Sequence, residues 1–330
     1  MPSSNLTNSS SGPKLCYHAS HEQFSPSELI TWVQRAEKAG FNGFFSSDHF
    51  HPWSEAQGQA GFSWSWMGAA FQATSIPGAM ICCPGYRYHP AVVAQAAATL
   101  AEMNEGRYWL AIGSGEAINE RMTGLPWPAK DLRNARLREC ADVIRALWKG
   151  EMVTHRGLVH VEEAKLYTLP KTTPLLIGAA IGEKTAEWLG GWADGLLTTS
   201  RPRDELKKMV EAFHRGGGEG KPLFLKSGLS YAVTKEKARL QAHQQWRSVA
   251  FAPDLLAELR TPGEFDAAGK HVRPEDMDEM IRISDSLEEH AAWIQDDLDA
   301  GFTQVVLHNI GTNQDEFIDT FGSKVLPQFL

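Results

Sequence analysis

The chain has 330 residues, 42% of them hydrophobic and 22% charged, and carries a net charge of −8. That length suits one large barrel or two ordinary domains, and the acidic balance argues against nucleic acid as a partner. No run of about 18 apolar residues occurs, so no membrane-spanning helix and no membrane partner are expected.

Met1 to Pro13 is Ser/Asn/Pro-rich without an apolar core, which predicts a flexible tail and not a secretory signal, with residues 14–330 forming a single domain. Cys16, Cys82, Cys83 and Cys140 show neither metal-like spacing nor a disulfide framework. They predict a reduced, cytoplasmic protein without a metal site.

Leu15–Ala19 reads as a first strand. Pro26–Ala39 reads as a helix with Ser25 as N-cap, proline in its first turn and Gly40 beyond its end. The pattern continues with a strand over Gly43–Ser47, a helix over Phe62–Thr74, a strand over Ala79–Cys83 and an Ala-rich helix over Pro90–Met103. A strand over Tyr108–Ile112 and an amphipathic helix over Leu132–Trp148 follow. Between Glu151 and Leu169, β-like alternation around Arg156-Gly157 predicts an inserted hairpin. Further strands fall at Leu175–Ala179, Gly195–Thr198, Leu223–Val233 and Gln304–Leu307. Helices fall at Lys184–Gly190, Arg203–Phe213, Lys235–Val249, Leu287–Ala300 and Gln314–Phe321.

Eight strands, each followed by helical sequence, predict an α/β fold: a (β/α)8 TIM barrel with insertions after strands four and seven. The runner-up, a doubly wound open sheet, would usually carry a glycine-rich turn after strand one. Here that loop is Ser20-His21-Glu22-Gln23-Phe24.

In a barrel, the residues that follow each strand share one mouth. Strand two leads into Asp48, His49 and Trp53, strand three into Cys82, Cys83 and Pro84-Gly85-Tyr86-Arg87-Tyr88-His89, and strand four into Gly113-Ser114-Gly115-Glu116. Thr198, Thr199 and Ser200 follow strand six, and His308-Asn309 follows strand eight. An imidazole and a carboxylate in one dry cleft, His49 and Glu116, can divide donor and acceptor roles near neutral pH. Glu116 equally suits simple charge complementation at a helix N-terminus. His89 before Pro90 is expected to end a loop, while His308 suits core or site equally. The stretch Phe62-Ser63-Trp64-Ser65-Trp66-Met67 is most simply core packing.

With these residues assembled, the chain resembles the luciferase-like flavin and deazaflavin oxidoreductases, especially their branch of F420-dependent sugar-phosphate dehydrogenases. The matching motifs are Ala19-Ser20…Glu22-Gln23-Phe24, Ser47-Asp48-His49…Pro52-Trp53, Phe62-Ser63…Ser65-Trp66-Met67, Arg87-Tyr88…Pro90 and Gly113…Gly115-Glu116-Ala117…Asn119-Glu120. The opening His18-Ala19-Ser20-His21-Glu22-Gln23-Phe24 and the ending Val325-Leu326-Pro327 also resemble an FMN-type, non-F420 subfamily.

The resemblance implies FMN or coenzyme F420 as cofactor, with His49 and Glu116 as the proton-transfer pair and Trp53 stacked near the reacting carbon. It implies cofactor contacts from Asp48, Ile81, Cys82, Cys83, Ser114, Gly115, Asn119, Ile181 and Gly182, and a cis peptide at the end of strand three. Substrate contacts would come from Thr199 and Arg201, and a homodimer is implied. The departures concern the substrate. Where the sugar-phosphate enzymes carry phosphate-binding cations, this chain has Pro202 and the acidic run Pro274-Glu275-Asp276-Met277-Asp278-Glu279, with Arg273 and Arg282 beside it. Phe251 to Asp299 holds 14 acidic against 4 basic residues, so a dianionic phosphate would be repelled. The expected activity is hydride transfer between the cofactor ring and a small, non-phosphorylated alcohol, carbonyl or activated alkene. The alternatives are a reduced-FMN-dependent monooxygenase and a non-catalytic flavin-binding protein.

Overall fold

The computed structural model describes residues 14–329, so the expected flexible tail, Met1 to Pro13, lies outside the described residues. Eight parallel strands form the frame: β1 (Lys14–Ala19), β2 (Phe44–Ser47), β3 (Gly78–Cys82), β4 (Tyr108–Ile112), β5 (Leu176–Ala179), β6 (Leu196–Thr199), β7 (Leu223–Tyr231) and β8 (Gln304–Asn309). Each pairs in parallel with the next, and β8 returns to β1. The eight strands therefore close into a barrel, with a short extra strand, Arg282–Ser284, paired to the end of β7, and the open doubly wound alternative is ruled out. Strand and helix positions follow the sequence pattern to within a few residues. The exceptions lie in the insertion after β7. The helix expected to reach Val249 stops at Trp246 and passes into a 3-10 turn over Arg247–Ala250, and two short helices, Pro253–Glu258 and Pro262–Ala268, fill the insertion.

Alternation along the strands separates two cores, because successive side chains on a strand point to opposite faces. Leu15, Tyr17, Leu110, Leu225, Val305 and Leu307 face outward into the shell between barrel and helices. Cys16, Phe45, Trp109, Phe224 and Val306 fill the barrel interior, where the Trp109 ring packs 4.4 Å from Phe224 and 5.5 Å from Phe45. Towards the strand C-termini the inward positions turn polar, Cys16 giving way to His18, Phe224 to Lys226 and Val306 to His308. The apolar plug thus ends in a polar floor beneath the mouth.

Local chemistry sets the loops. Helix Pro26–Lys38 begins with a reciprocal capping box between Ser25 and Glu28 and is followed by Gly40 at φ 100°, a left-handed position that glycine adopts at little cost. The insertion after β4 holds helix Lys130–Trp148 and the antiparallel hairpin Val153–Arg156/His160–Ala164. His89 caps helix Pro90–Met103 by accepting from the Ala91 N–H, and its Nε2 contacts the His160 carbonyl at 2.7 Å. It is a loop-ending residue, as expected. Ser63, Trp66 and Met67 are buried, the Trp66 indole N–H on the Pro26 carbonyl, so this face of the Trp-rich stretch is core, while Phe62 is exposed.

Among the described residues every peptide bond is trans, which corrects the cis bond implied after β3. The ladder there stays regular: Ile81 and Cys82 keep register with Ala111 and Ile112, and the Ile81 and Cys82 carbonyls accept from the Asp48 and Gly113 N–H groups.

Candidate active site

The mouth is built from the loops after β1, β2, β3 and β4 and from the inward face of β7. Ser20 and Glu22, just beyond β1, are both fully buried, and the Ser20 hydroxyl donates to Glu22 Oε2 at 2.9 Å. The other carboxylate oxygen meets His49 Nε2 at 3.1 Å. On the opposite ring edge, Asn119 Nδ2 lies 3.0 Å from His49 Nδ1. The Trp53 ring is tilted against His49 at 5.1 Å and edges Phe265 at 5.2 Å, forming an aromatic wall on the outer side of the imidazole.

Burial pushes His49 down to about 4, against the pull of Glu22 and with help from Lys226 and Arg87. Burial alone would raise Glu22, but Lys226 and the hydrogen bond from Ser20 help hold this carboxyl below its usual range. The contact is a close approach within which Glu22 Oε1 has no hydrogen-bond partner.

Glu116 opens the short helix Ala117–Glu120 and makes no side-chain capping bond. Burial raises its pKa to about 7, against the lowering influence of Lys226. Lys226 is itself pushed down by burial and held up by Glu22 and Glu116. The ammonium lies 5.7 Å from the Trp246 ring centre. Below it sit His18 and His308, rings 4.1 Å apart and both well below their usual pKa because of burial. His308 thus belongs to the polar floor.

The structure brings His49, Trp53 and Asn119 together, while Glu116 is related to them only through the electrostatic influence of Lys226. His49's direct carboxylate partner is Glu22, not Glu116. Other residues singled out in the sequence fall into different surroundings. Asp48 is buried under Arg87, which donates to its carboxylate at 2.8 Å and to its backbone carbonyl at 3.1 Å, while Asp48 Oδ1 has no partner. Ile81 points into the barrel, whereas Cys82 points into the helix shell. Cys83 lies beneath Gly115, where a Cβ would come within 2.6 Å of its sulfur at a φ of 78°. Ser114 accepts from the Lys130 ammonium at 2.6 Å. Gly182 caps helix Glu183–Gly190, and its neighbour Ile181 is exposed. Thr199 is exposed at the end of β6, and Arg201 lies 3.7 Å from Glu205.

The cations beside the acidic insertion turn away from the mouth. Arg273 pairs with Asp276, and Arg282 forks onto buried Asp297 at 2.5 and 2.7 Å. Lys226 was missed in the sequence, although a lysine between Leu225 and Ser227 in an otherwise apolar strand is a usable signal.

Residues 9–304 match the model of the luciferase-like monooxygenase family. Across 96% of this chain, 34% of residues are identical to an F420-dependent glucose-6-phosphate dehydrogenase from Beutenbergia cavernae, 97% of which is covered. A protein of the same name from Nakamurella multipartita is 36% identical over 94% of this chain and 95% of its own length. Among solved structures, an F420-dependent secondary alcohol dehydrogenase in complex with an F420-acetone adduct superposes with a TM-score of 0.90 at 31% identity, covering 96% of this chain and 98% of that one. The chain belongs to the luciferase-like monooxygenase family. It is an oxidoreductase of the flavin or deazaflavin class.

Proposed function

We propose that this protein is an F420-dependent oxidoreductase that exchanges a hydride with a small, uncharged secondary alcohol or its ketone. The observation that carries this reading is the buried titratable cluster at the mouth, where His49 Nε2 lies 3.1 Å from Glu22 Oε1 and Lys226 is within electrostatic reach of Glu22 and Glu116. The cofactor assignment draws on the F420-dependent relatives named above. A small uncharged substrate follows from the absence of phosphate-gripping cations on the acidic insertion, where Arg273 and Arg282 are engaged by Asp276 and Asp297.

The residues present fit a planar ring with polar edges. Asp48 Oδ1 and both ring nitrogens of His21 are buried without partners. A side chain at Gly113 would meet nothing nearer than Ala179 at 3.8 Å and Ile81 at 3.9 Å, so packing does not demand glycine there and the backbone is left bare for a close ligand. Ser114, Gly115 and the Ile181-Gly182 helix start would line the cofactor's remaining length, while Thr199 and Arg201 would border the substrate. When bound, the deazaflavin supplies the two-electron hydride acceptor.

The protein's own part is proton handling and orientation. Ionised Glu22, joined to His49, offers a sink for the proton of a substrate hydroxyl. Glu116, poised near 7, can hold or release a proton at working pH. Lys226 lowers the proton affinity of both carboxylates, and Trp53 walls the imidazole from water. We also infer one barrel domain over residues 14–330, working in a reducing cytoplasm with its four buried thiols free, and assembled as a homodimer.

Purified protein titrated with F420 and with FMN, then assayed with 2-propanol, tests the proposal. Binding of F420 and its substrate-dependent reduction are expected. Binding of neither cofactor, or oxygen uptake with reduced FMN in place of F420 reduction, would overturn it.

A further inference from the structure

Asn119 is buried in the short helix Ala117–Glu120 after β4. Its Oδ1 accepts from the backbone N–H of Phe50 at 2.9 Å and from that of His51 at 3.4 Å. Backbone N–H groups can only donate, so the oxygen end of this amide must face them and the NH2 end must face His49. The NH2 group in turn can only donate, so His49 Nδ1 must present its lone pair across the 3.0 Å contact. A neutral imidazole then carries its one proton on Nε2, which lies 3.1 Å from Glu22 Oε1. A second tie holds the same loop to the same helix, the His51 Nδ1–H donating to the Ile118 carbonyl at 2.8 Å.

We propose that Asn119 is a positioning residue that locks His49 in its Nε2-protonated tautomer, with that nitrogen on the Glu22 side of the ring. Asn119 thereby decides the direction in which the imidazole can pass charge. In place, His49 has no free lone pair with which to take a substrate proton: Nδ1 is engaged by the amide, and Nε2 is already protonated. A proton reaches Glu22 through His49 only if the Nε2 proton leaves for Glu22 as another arrives, or it reaches Glu22 directly.

The charged and titratable groups facing His49 all act on this balance. Glu22, from the loop after β1, favours a second proton on the ring; Lys226 from β7 and Arg87 from the loop after β3 oppose it, as does His21, whose own pKa is coupled to that of His49. Burial decides the sum in favour of the neutral ring, which is the form the amide donor requires.

The inference takes its catalytic meaning from the oxidoreductase reading, yet its test does not depend on turnover. Long-range 1H–15N spectra of the protein alone, with the His49 signals assigned by their loss in His49→Gln, report which ring nitrogen carries the proton. A protonated Nε2 and a bare Nδ1 are expected between pH 6 and 8. Asn119→Asp replaces the donor with a carboxylate oxygen, which favours a second proton on the ring, at Nδ1. The His49 titration midpoint should then rise by about one pH unit or more, and the acidic limb of the rate profile should move with it. A proton found on Nδ1 in the unmutated protein would overturn the proposal, as would an unchanged midpoint in a folded Asn119→Asp. If that variant fails to fold, the spectrum of the unmutated protein decides alone. Failure of F420 reduction with the expected spectrum would count against the function and leave the tautomer lock standing.

Discussion

Two adjacent residues of β7, Lys226 and Ser227, belong to two buried charged groups of opposite character. Ser227 faces outward, where its hydroxyl accepts from Arg282 at 2.9 Å while Arg282 forks onto both oxygens of Asp297. Donors and acceptors there are matched, and the strand, helix Leu287–Asp299 and the short strand Arg282–Ser284 are tied together. Lys226 faces inward and makes no close ion pair among the described residues; it feels Glu22 and Glu116 at longer range, and Glu116 makes no side-chain capping bond. A fully matched buried cluster is silent over the neutral pH range, because each proton position is fixed by a fork of hydrogen bonds. An under-matched one keeps protons mobile, at a cost in stability that a catalytic site tolerates. The difference lies in completeness of pairing, not in depth.

If the comparison holds, substitutions in the two groups should separate activity from stability. Glu22→Gln should lower kcat by about 10²–10⁴-fold, the usual worth of a positioned acid–base group, and, because its lowered pKa stabilises the fold at neutral pH, lower the urea midpoint far less than Asp297→Asn does. Initial rates of F420 reduction and denaturation curves on the same preparation check both halves. A full rate in Glu22→Gln would break the comparison at its catalytic end. On the outward side, Asp297→Asn leaves Arg282 buried against a neutral amide, and should cost about 3–5 kcal/mol of stability with little change in kcat per folded molecule. The urea midpoint reads that loss. A fall in kcat at full stability would mean that the outward cluster feeds the mouth after all.

The same contrast explains how much could be read from the chain beforehand. The barrel was legible because each strand is a short apolar run followed by amphipathic sequence, a local property. His49 and Trp53 were legible because they crowd one loop. Asn119 was noticed, but as a cofactor contact, because its grip on His49 depends on how the loops after β2 and β4 meet across the closed barrel. Glu22 was visible only as part of a motif for the same reason: β1 and β2 are neighbours by pairing, and nothing in residues 20–24 says that a carboxylate will reach 3.1 Å from an imidazole. Lys226 escaped because inward and outward cannot be assigned along Leu223–Tyr231 until closure defines an interior. Arg282 was placed near the substrate by its proximity to the acidic run. Helix Leu287–Asp299 instead brings Asp297 to it from outside the barrel.

The smallest predicted effect is also the one that most directly reads incomplete pairing. Glu116 is raised from its ordinary 4.5 to about 7, chiefly by burial, so the folded protein holds the proton more tightly than the unfolded chain does. A raised folded pKa contributes stability that is fully present below 4.5 and is lost as pH rises through about 7. Such a shift corresponds to about 3 kcal/mol if undiminished, and contact of the carboxylate with solvent reduces it to about 1–2 kcal/mol. Glutamine mimics the protonated acid and never ionises. Glu116→Gln should therefore equal the unmutated protein in stability near pH 4.5, exceed it by about 1–2 kcal/mol at pH 8, and show a flatter profile between, all measurable by urea titration. In the same variant, turnover that depends on Glu116 exchanging a proton should fall at every pH. Gain of stability with loss of rate in one substitution is what an under-matched charge at a working mouth demands, and no residue of the Arg282–Asp297 group should show it.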